Sequence, residues 1–232
     1  MAILFQLLRG RIPQSPDPQL PTGAQQDGRG GIKKNMPDAG VWTKLINYLL
    51  FQAGWFVCVL GAAAGHPWAA AVAGFILVLV HLALVRNRGQ EGLLLLLSLL
   101  LGICVDAFHI HTGVLSFPIG SIHPALPPLW ILALWLQFAM TLHYSLGWLA
   151  GRYILGAFLG GVSGALAYWA GVRFGAALFT ADLFRCLLQI GLSWAVVMVL
   201  LIRAANWTAD QDVLPIYRIF TKISKQKGIS RD

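Results

Sequence analysis

The stretch Leu93-Leu-Leu-Leu-Leu-Ser98-Leu-Leu-Leu-Gly102-Ile-Cys-Val-Asp106-Ala-Phe-His109-Ile110 decides the fold. It is apolar along nearly its whole length and carries a single acid, Asp106. A helix that crosses a bilayer needs roughly 20 mostly apolar residues. Five more stretches meet that requirement, at about 45–64, 67–85, 126–146, 153–172 and 183–203. Short connections between them make neighbouring helices antiparallel. The expected fold is therefore all-α: a polytopic membrane protein with a compact bundle of six transmembrane helices.

Composition agrees. Of the 232 residues, 57% are hydrophobic and only 11% are charged, against about 25% charge in a soluble domain. So little charge cannot cover a water-facing surface. That excludes a soluble enzyme, a disordered chain and a nucleic-acid-binding domain, despite a net charge of +8. Cys58, Cys104 and Cys186 lie in apolar stretches without paired spacing and read as small core residues.

The basic residues set an orientation. Fifteen of the 17 lysines and arginines fall before the first span, in the second and fourth connections, or after the last span. Only Arg173 and Arg185 fall on the other side. Basic residues collect on the cytoplasmic face, so both termini are expected there, with the turn at Gly65 and the His111–Ala125 connection outside. Residues 42–203 form the six-helix domain. Residues 1–41 are expected to be a disordered cytoplasmic tail, Pro- and Gly-rich over much of its length, with Met36 as a possible functional start. Residues 204–232 are expected to be a basic cytoplasmic tail.

Polar side chains inside the spans are the candidate site. An Asp at the bilayer centre costs about 2.5–3.5 kcal/mol, so Asp106 must face protein or water. Ser98, Gly102, Asp106 and His109 share one helical stripe, at steps of four, four and three. Asp106 with His109, and Glu91 in the first turn of the same helix, are the best catalytic candidates. Gln52 and Trp55 on the first span, and Gln137 on the fourth, join Asp106 and His109 as candidate ligand-binding residues lining one interior. His81, His143 and Glu91 could meet at the cytoplasmic mouth, although the favourable end of the helix dipole is the better explanation for Glu91. No complete metal-ligand set or catalytic triad is present, and no metal or cofactor is called for. Gly156, Gly160 and Gly164 form a small-residue face for close helix packing, against the fourth or sixth helix or a second copy of the chain. Trp42, Trp68, Trp130, Trp148 and Trp207 flank spans as interfacial anchors. Trp55, Trp135, Trp169 and Trp194 lie deeper, to fill the bundle or line a lipid-like pocket.

Four runs carry a family resemblance: Asn47-Tyr-Leu-Leu-Phe-Gln-Ala-Gly-Trp-Phe-Val-Cys-Val-Leu-Gly61, Glu91 through Asp106, Pro128-Leu-Trp-Ile-Leu-Ala-Leu-Trp135 and Gly164-Ala-Leu-Ala-Tyr-Trp-Ala-Gly171. In this order they resemble the bacterial inner-membrane family called domain of unknown function 2878, over about residues 42–202. The resemblance implies a small multi-helix protein of the bacterial inner membrane, with a link to fatty-acyl or membrane-lipid modification, and brings no reaction with it. The function expected is a non-catalytic component that binds membrane lipid or a partner protein. The alternative is a membrane-embedded enzyme or small transporter using the Asp106/His109 stripe.

Overall fold

The computed structural model describes residues 40–210. The expectations for the N-terminal tail, Met36 and most of the C-terminal tail lie outside these residues. Six α-helices follow one another: α1 (Val41–Ala63), α2 (Pro67–Leu84), α3 (Arg88–His111), α4 (Leu129–Leu142), α5 (Tyr153–Arg173) and α6 (Leu183–Asp210). A short 3-10 helix, Gly147–Leu149, follows α4. Two-residue strands β1 (Leu115–Ser116) and β2 (Leu178–Phe179) pair antiparallel, with Leu115 opposite Phe179 and Ser116 opposite Leu178. They tie the α3–α4 loop to the α5–α6 connection.

Local chemistry sets the helix ends. Gly65 follows α1 with φ +83, a left-handed conformation that favours glycine, and Pro67 opens α2 where its missing N–H costs nothing. Pro128 precedes α4 in extended conformation. The Asp182 carboxylate accepts the backbone N–H of Arg185 at 2.9 Å and caps the start of α6.

Five of these helices, all but α4, are long and apolar enough to cross a membrane, so the protein is a multi-pass membrane protein. The sixth expected span is a helix of only 14 residues, about 21 Å long, less than the roughly 30 Å hydrocarbon core. The reason lies in its surroundings. The other five helices each present large exposed apolar side chains, such as Leu79, Leu100, Phe158 and Leu192, whereas α4 presents none among the described residues. Protein rather than lipid surrounds α4, so bilayer thickness does not dictate its length. Helix α6 also runs to Asp210 rather than stopping near 203, with Ala205 and Thr208 buried.

Helices α1, α2 and α4 pack on one another, α3 bridges α4 and α6, and α5 meets the bundle chiefly through α6. The α5–α6 contact uses the expected glycine face. A Cβ on Gly156, Gly160 or Gly164 would fall within 2.3, 1.9 or 2.2 Å of Ile202, Met198 or Trp194 respectively. Only glycine lets the backbones approach this closely, and α6 of the same chain occupies the face. Three expectations about single residues change. Trp169, expected to fill the bundle or line a pocket, is 40% exposed and does not line the cavity among α1, α4, α5 and α6. Cys58 and Cys186 are buried, but Cys104 is exposed. Trp130, expected at an interface, is 2% exposed and belongs to the core.

Candidate functional site

Helix α3 carries two buried carboxylates, one near each end, and a cavity opens beside the second. At the C-terminal end, Ser98, Gly102, Asp106 and His109 are all buried, as their common stripe requires. Gly102 is the hinge of this arrangement. A Cβ there would lie 2.4 Å from the Trp135 ring, so only glycine lets that indole cross α3. Ser98 holds Trp135 from one turn below by donating to its backbone carbonyl at 3.1 Å. Trp135 then reaches one turn above Gly102, where its Nε1–H donates to Asp106 Oδ2 at 2.7 Å. The Tyr168 hydroxyl of α5 donates to Oδ1 at 2.5 Å. Both carboxylate oxygens are thus occupied by neutral aromatic donors, in the short range of hydrogen bonds to a charged acceptor.

His109 does not join this pair. Its Nδ1 accepts from the Gln189 amide at 3.3 Å, and the same amide donates to Thr112 Oγ1 at 2.6 Å. His109 Nε2 is buried without a hydrogen-bond partner. Sequence reasoning put Asp106 and His109 on one face, which is correct, but did not find Tyr168 or Trp135 as the partners of Asp106. Tyr168 stands one turn beyond Gly164 on the glycine face of α5. That spacing was the available signal.

The cavity, about 520 Å³, lies among α1, α4, α5 and α6, within the usual range for a small-molecule site. Phe51, Trp55, Trp130, Phe138, Tyr168 and Trp194 form most of its aromatic wall, with Trp135 beside them. Trp135 and Trp194 stack at 4.8 Å between ring centroids. Tyr168 and Trp135 therefore each touch Asp106 on one side and the cavity on the other, and the carboxylate fixes two of its walls from behind. Of the expected ligand-binding residues, Gln52 and Trp55 line the cavity, while Asp106, His109 and Gln137 do not. Gln137 is buried between α1 and α2, its amide directed at Cys58 Sγ at 3.5 Å and its Oε1 unpartnered. Tyr48 and Leu166, on α1 and α5, also line the cavity and are about half exposed. The cavity therefore reaches the flank of the bundle at the α1–α5 gap.

At the other end of α3, Glu91 does stand in the first turn, but it is buried and fully bonded. Its Oε1 lies 2.8 Å from His81 Nε2 on α2, and its Oε2 lies 2.8 Å from His143 Nδ1 just past α4. His143 Nε2 meets the Ala205 carbonyl of α6 at 3.0 Å. Tyr144 packs edge-on against His81, with ring centroids 5.5 Å apart. Glu91 and the Ala205 carbonyl thus engage both ring nitrogens of His143. The meeting of His81, Glu91 and His143 thus occurs, and it explains Glu91 better than the helix dipole alone.

These features define a class: a multi-pass membrane protein with a buried carboxylate near each end of one apolar helix and an aromatic cavity at the flank of its bundle. The chain belongs to the family described as "Protein of unknown function (DUF2878)", whose model matches residues 44–200. No curated protein and no solved structure matches it.

Proposed function

We propose that this protein is a non-catalytic membrane component that holds an apolar, lipid-like ligand in the cavity between α1 and α5. The observation that carries this reading is the aromatic cavity reaching the α1–α5 flank, where Tyr48 and Leu166 are exposed. At that depth the surroundings of the bundle are hydrocarbon, so a chain entering sideways exchanges one apolar environment for another. Shape and aromatic contact then supply selectivity. Asp106 takes a supporting part, holding Trp135 and Tyr168 in place. The ligand class fits a link to fatty-acyl or membrane-lipid modification in a bacterial inner membrane. In this reading α4, with the turn and 3-10 helix after it, completes a sixth crossing, and both termini are cytoplasmic. Cysteine labelling at Gly65 in intact cells tests that topology, and labelling only after the inner membrane is opened refutes it.

Native mass spectrometry of the full chain tests the ligand. A lipid should remain bound at near-equal stoichiometry and should be lost when Ala167→Phe fills the cavity. Equal retention by this folded variant would refute the proposal. A second reading, chemistry at the Asp106/His109 stripe, draws on the unpartnered His109 Nε2. It requires a substrate group that accepts a hydrogen bond there.

A further inference from the structure

We propose that His81, Glu91 and His143 form a proton-binding site that keeps one exchangeable proton between Glu91 Oε2 and His143 Nδ1. The argument is one of hydrogen counting. The Ala205 carbonyl can only accept a hydrogen bond, so His143 Nε2, 3.0 Å away, must carry a hydrogen. Thr208 Oγ1, 3.3 Å from the same nitrogen, gives its own hydrogen to Ala205 O at 3.1 Å and so does not change this.

A neutral imidazole has only one ring hydrogen. In that form Nδ1 presents a lone pair to Glu91 Oε2 at 2.8 Å. A carboxylate facing it would set lone pair against lone pair in a buried place. The contact needs one further proton, carried either by Glu91 as a carboxylic acid or by His143 as an imidazolium. Both forms leave the pair neutral overall, and the proton passes from Oε2–H to Nδ1 or back without any other bond breaking. His81 closes the other side by donating its Nε2–H to Oε1.

The groups facing the pair leave it to titrate on its own terms. Helix α2 contributes His81, the segment after α4 contributes His143 and Tyr144, and α6 contributes Thr208 and the Ala205 carbonyl. Among the described residues Glu91 pairs with these two imidazoles and with no lysine or arginine. Arg88, one turn before Glu91, is exposed and donates to the Ala83 carbonyl. The imidazole side chains keep 14% and 12% of their surface exposed, against 4% for Glu91. Exchange with water therefore runs through a histidine. Because His143 also holds Ala205, loss of the proton loosens the contact between α3 and the end of α6.

Glu91→Gln in the full chain is the test, because its amide can accept from His81 and donate to the lone pair of neutral His143. The fold should survive without the exchangeable proton. Side-chain nitrogen NMR of histidine-labelled protein in detergent reads each ring nitrogen. In the wild type one histidine should carry hydrogen on Nε2 at every pH and gain or lose it at Nδ1. In Glu91→Gln the same ring should bind that proton at least tenfold more weakly, a shift of about one pH unit or more. An unchanged midpoint would overturn the proposal. If the variant does not fold, the wild-type spectrum decides alone, and a His143 ring protonated only at Nδ1 overturns it. Elemental analysis finding one bound metal ion per chain would also overturn it, since the three side chains would then be ligands.

Discussion

Glu91 and Asp106 are two buried carboxylates on one helix, about 22 Å apart along its axis at 1.5 Å per residue, and their partners differ in kind. Glu91 is bonded to two imidazoles, whose ring nitrogens either carry a hydrogen or present a lone pair. Asp106 is bonded to a phenol and an indole, which donate hydrogen bonds and hold the walls of a cavity. The same group thus serves different ends according to its neighbours. Where a partner nitrogen can share a hydrogen, the carboxylate belongs to a proton site. Where the partners only donate, it positions aromatic rings.

The largest expected effect breaks the first end. Glu91→Leu leaves both imidazoles without their acceptor and removes the carboxyl group that shares a proton with His143. Thermal unfolding in detergent should show a loss of about 3 kcal/mol, the order found when one partner of a buried pair is removed. A loss below about 1 kcal/mol would mean that the two ends do not differ as described.

Asp106→Asn sharpens the contrast at the other end. The amide oxygen can keep the Trp135 N–H, and the Tyr168 hydroxyl can turn to accept from the amide nitrogen. The cost should be about 1–2 kcal/mol, that of weakened charged hydrogen bonds, with lipid retention largely kept. Retention lost at unchanged stability would instead place Asp106 in direct service of the ligand. Tyr168→Phe keeps the ring and the cavity wall and removes one donor, so about 1 kcal/mol should be lost. Asp106→Asn and Tyr168→Phe share a contact, so their combined effect should fall short of the sum.

The smallest effect is on pH dependence. His143 bonds Glu91 only while the shared proton is held, so its stabilisation is present at low pH and fades as rising pH removes that proton. Melting temperature should therefore drop on the alkaline side in the wild type, and the drop should shrink in His143→Asn. An identical profile in the variant would remove His143 from the account.

Much of this was legible in the sequence because bilayer physics constrains it so strongly. Apolar runs located every helix, and the four-residue steps through Ser98, Gly102 and Asp106 identified the buried face of α3. Gly156, Gly160 and Gly164 announced a close helix contact for the same reason, since small side chains at that spacing have no other common use in a membrane. Helix α4 was misjudged in length because an apolar run facing protein reads the same as one facing lipid. Trp130 was misplaced because position near the end of a run does not say which way an indole points.

The sequence by itself determined a multi-pass helical membrane protein, the stripe that buries Asp106, and the residue types able to meet at Glu91. Only the tertiary structure decided who the partners are. Tyr168 lies 62 residues from Asp106 and His143 lies 52 from Glu91, so their meeting depends on which helices pack together and in what rotation. Periodicity reports one helix at a time. It fixes which face is buried, but the ring that fills the space opposite that face is set by the packing of the other five helices.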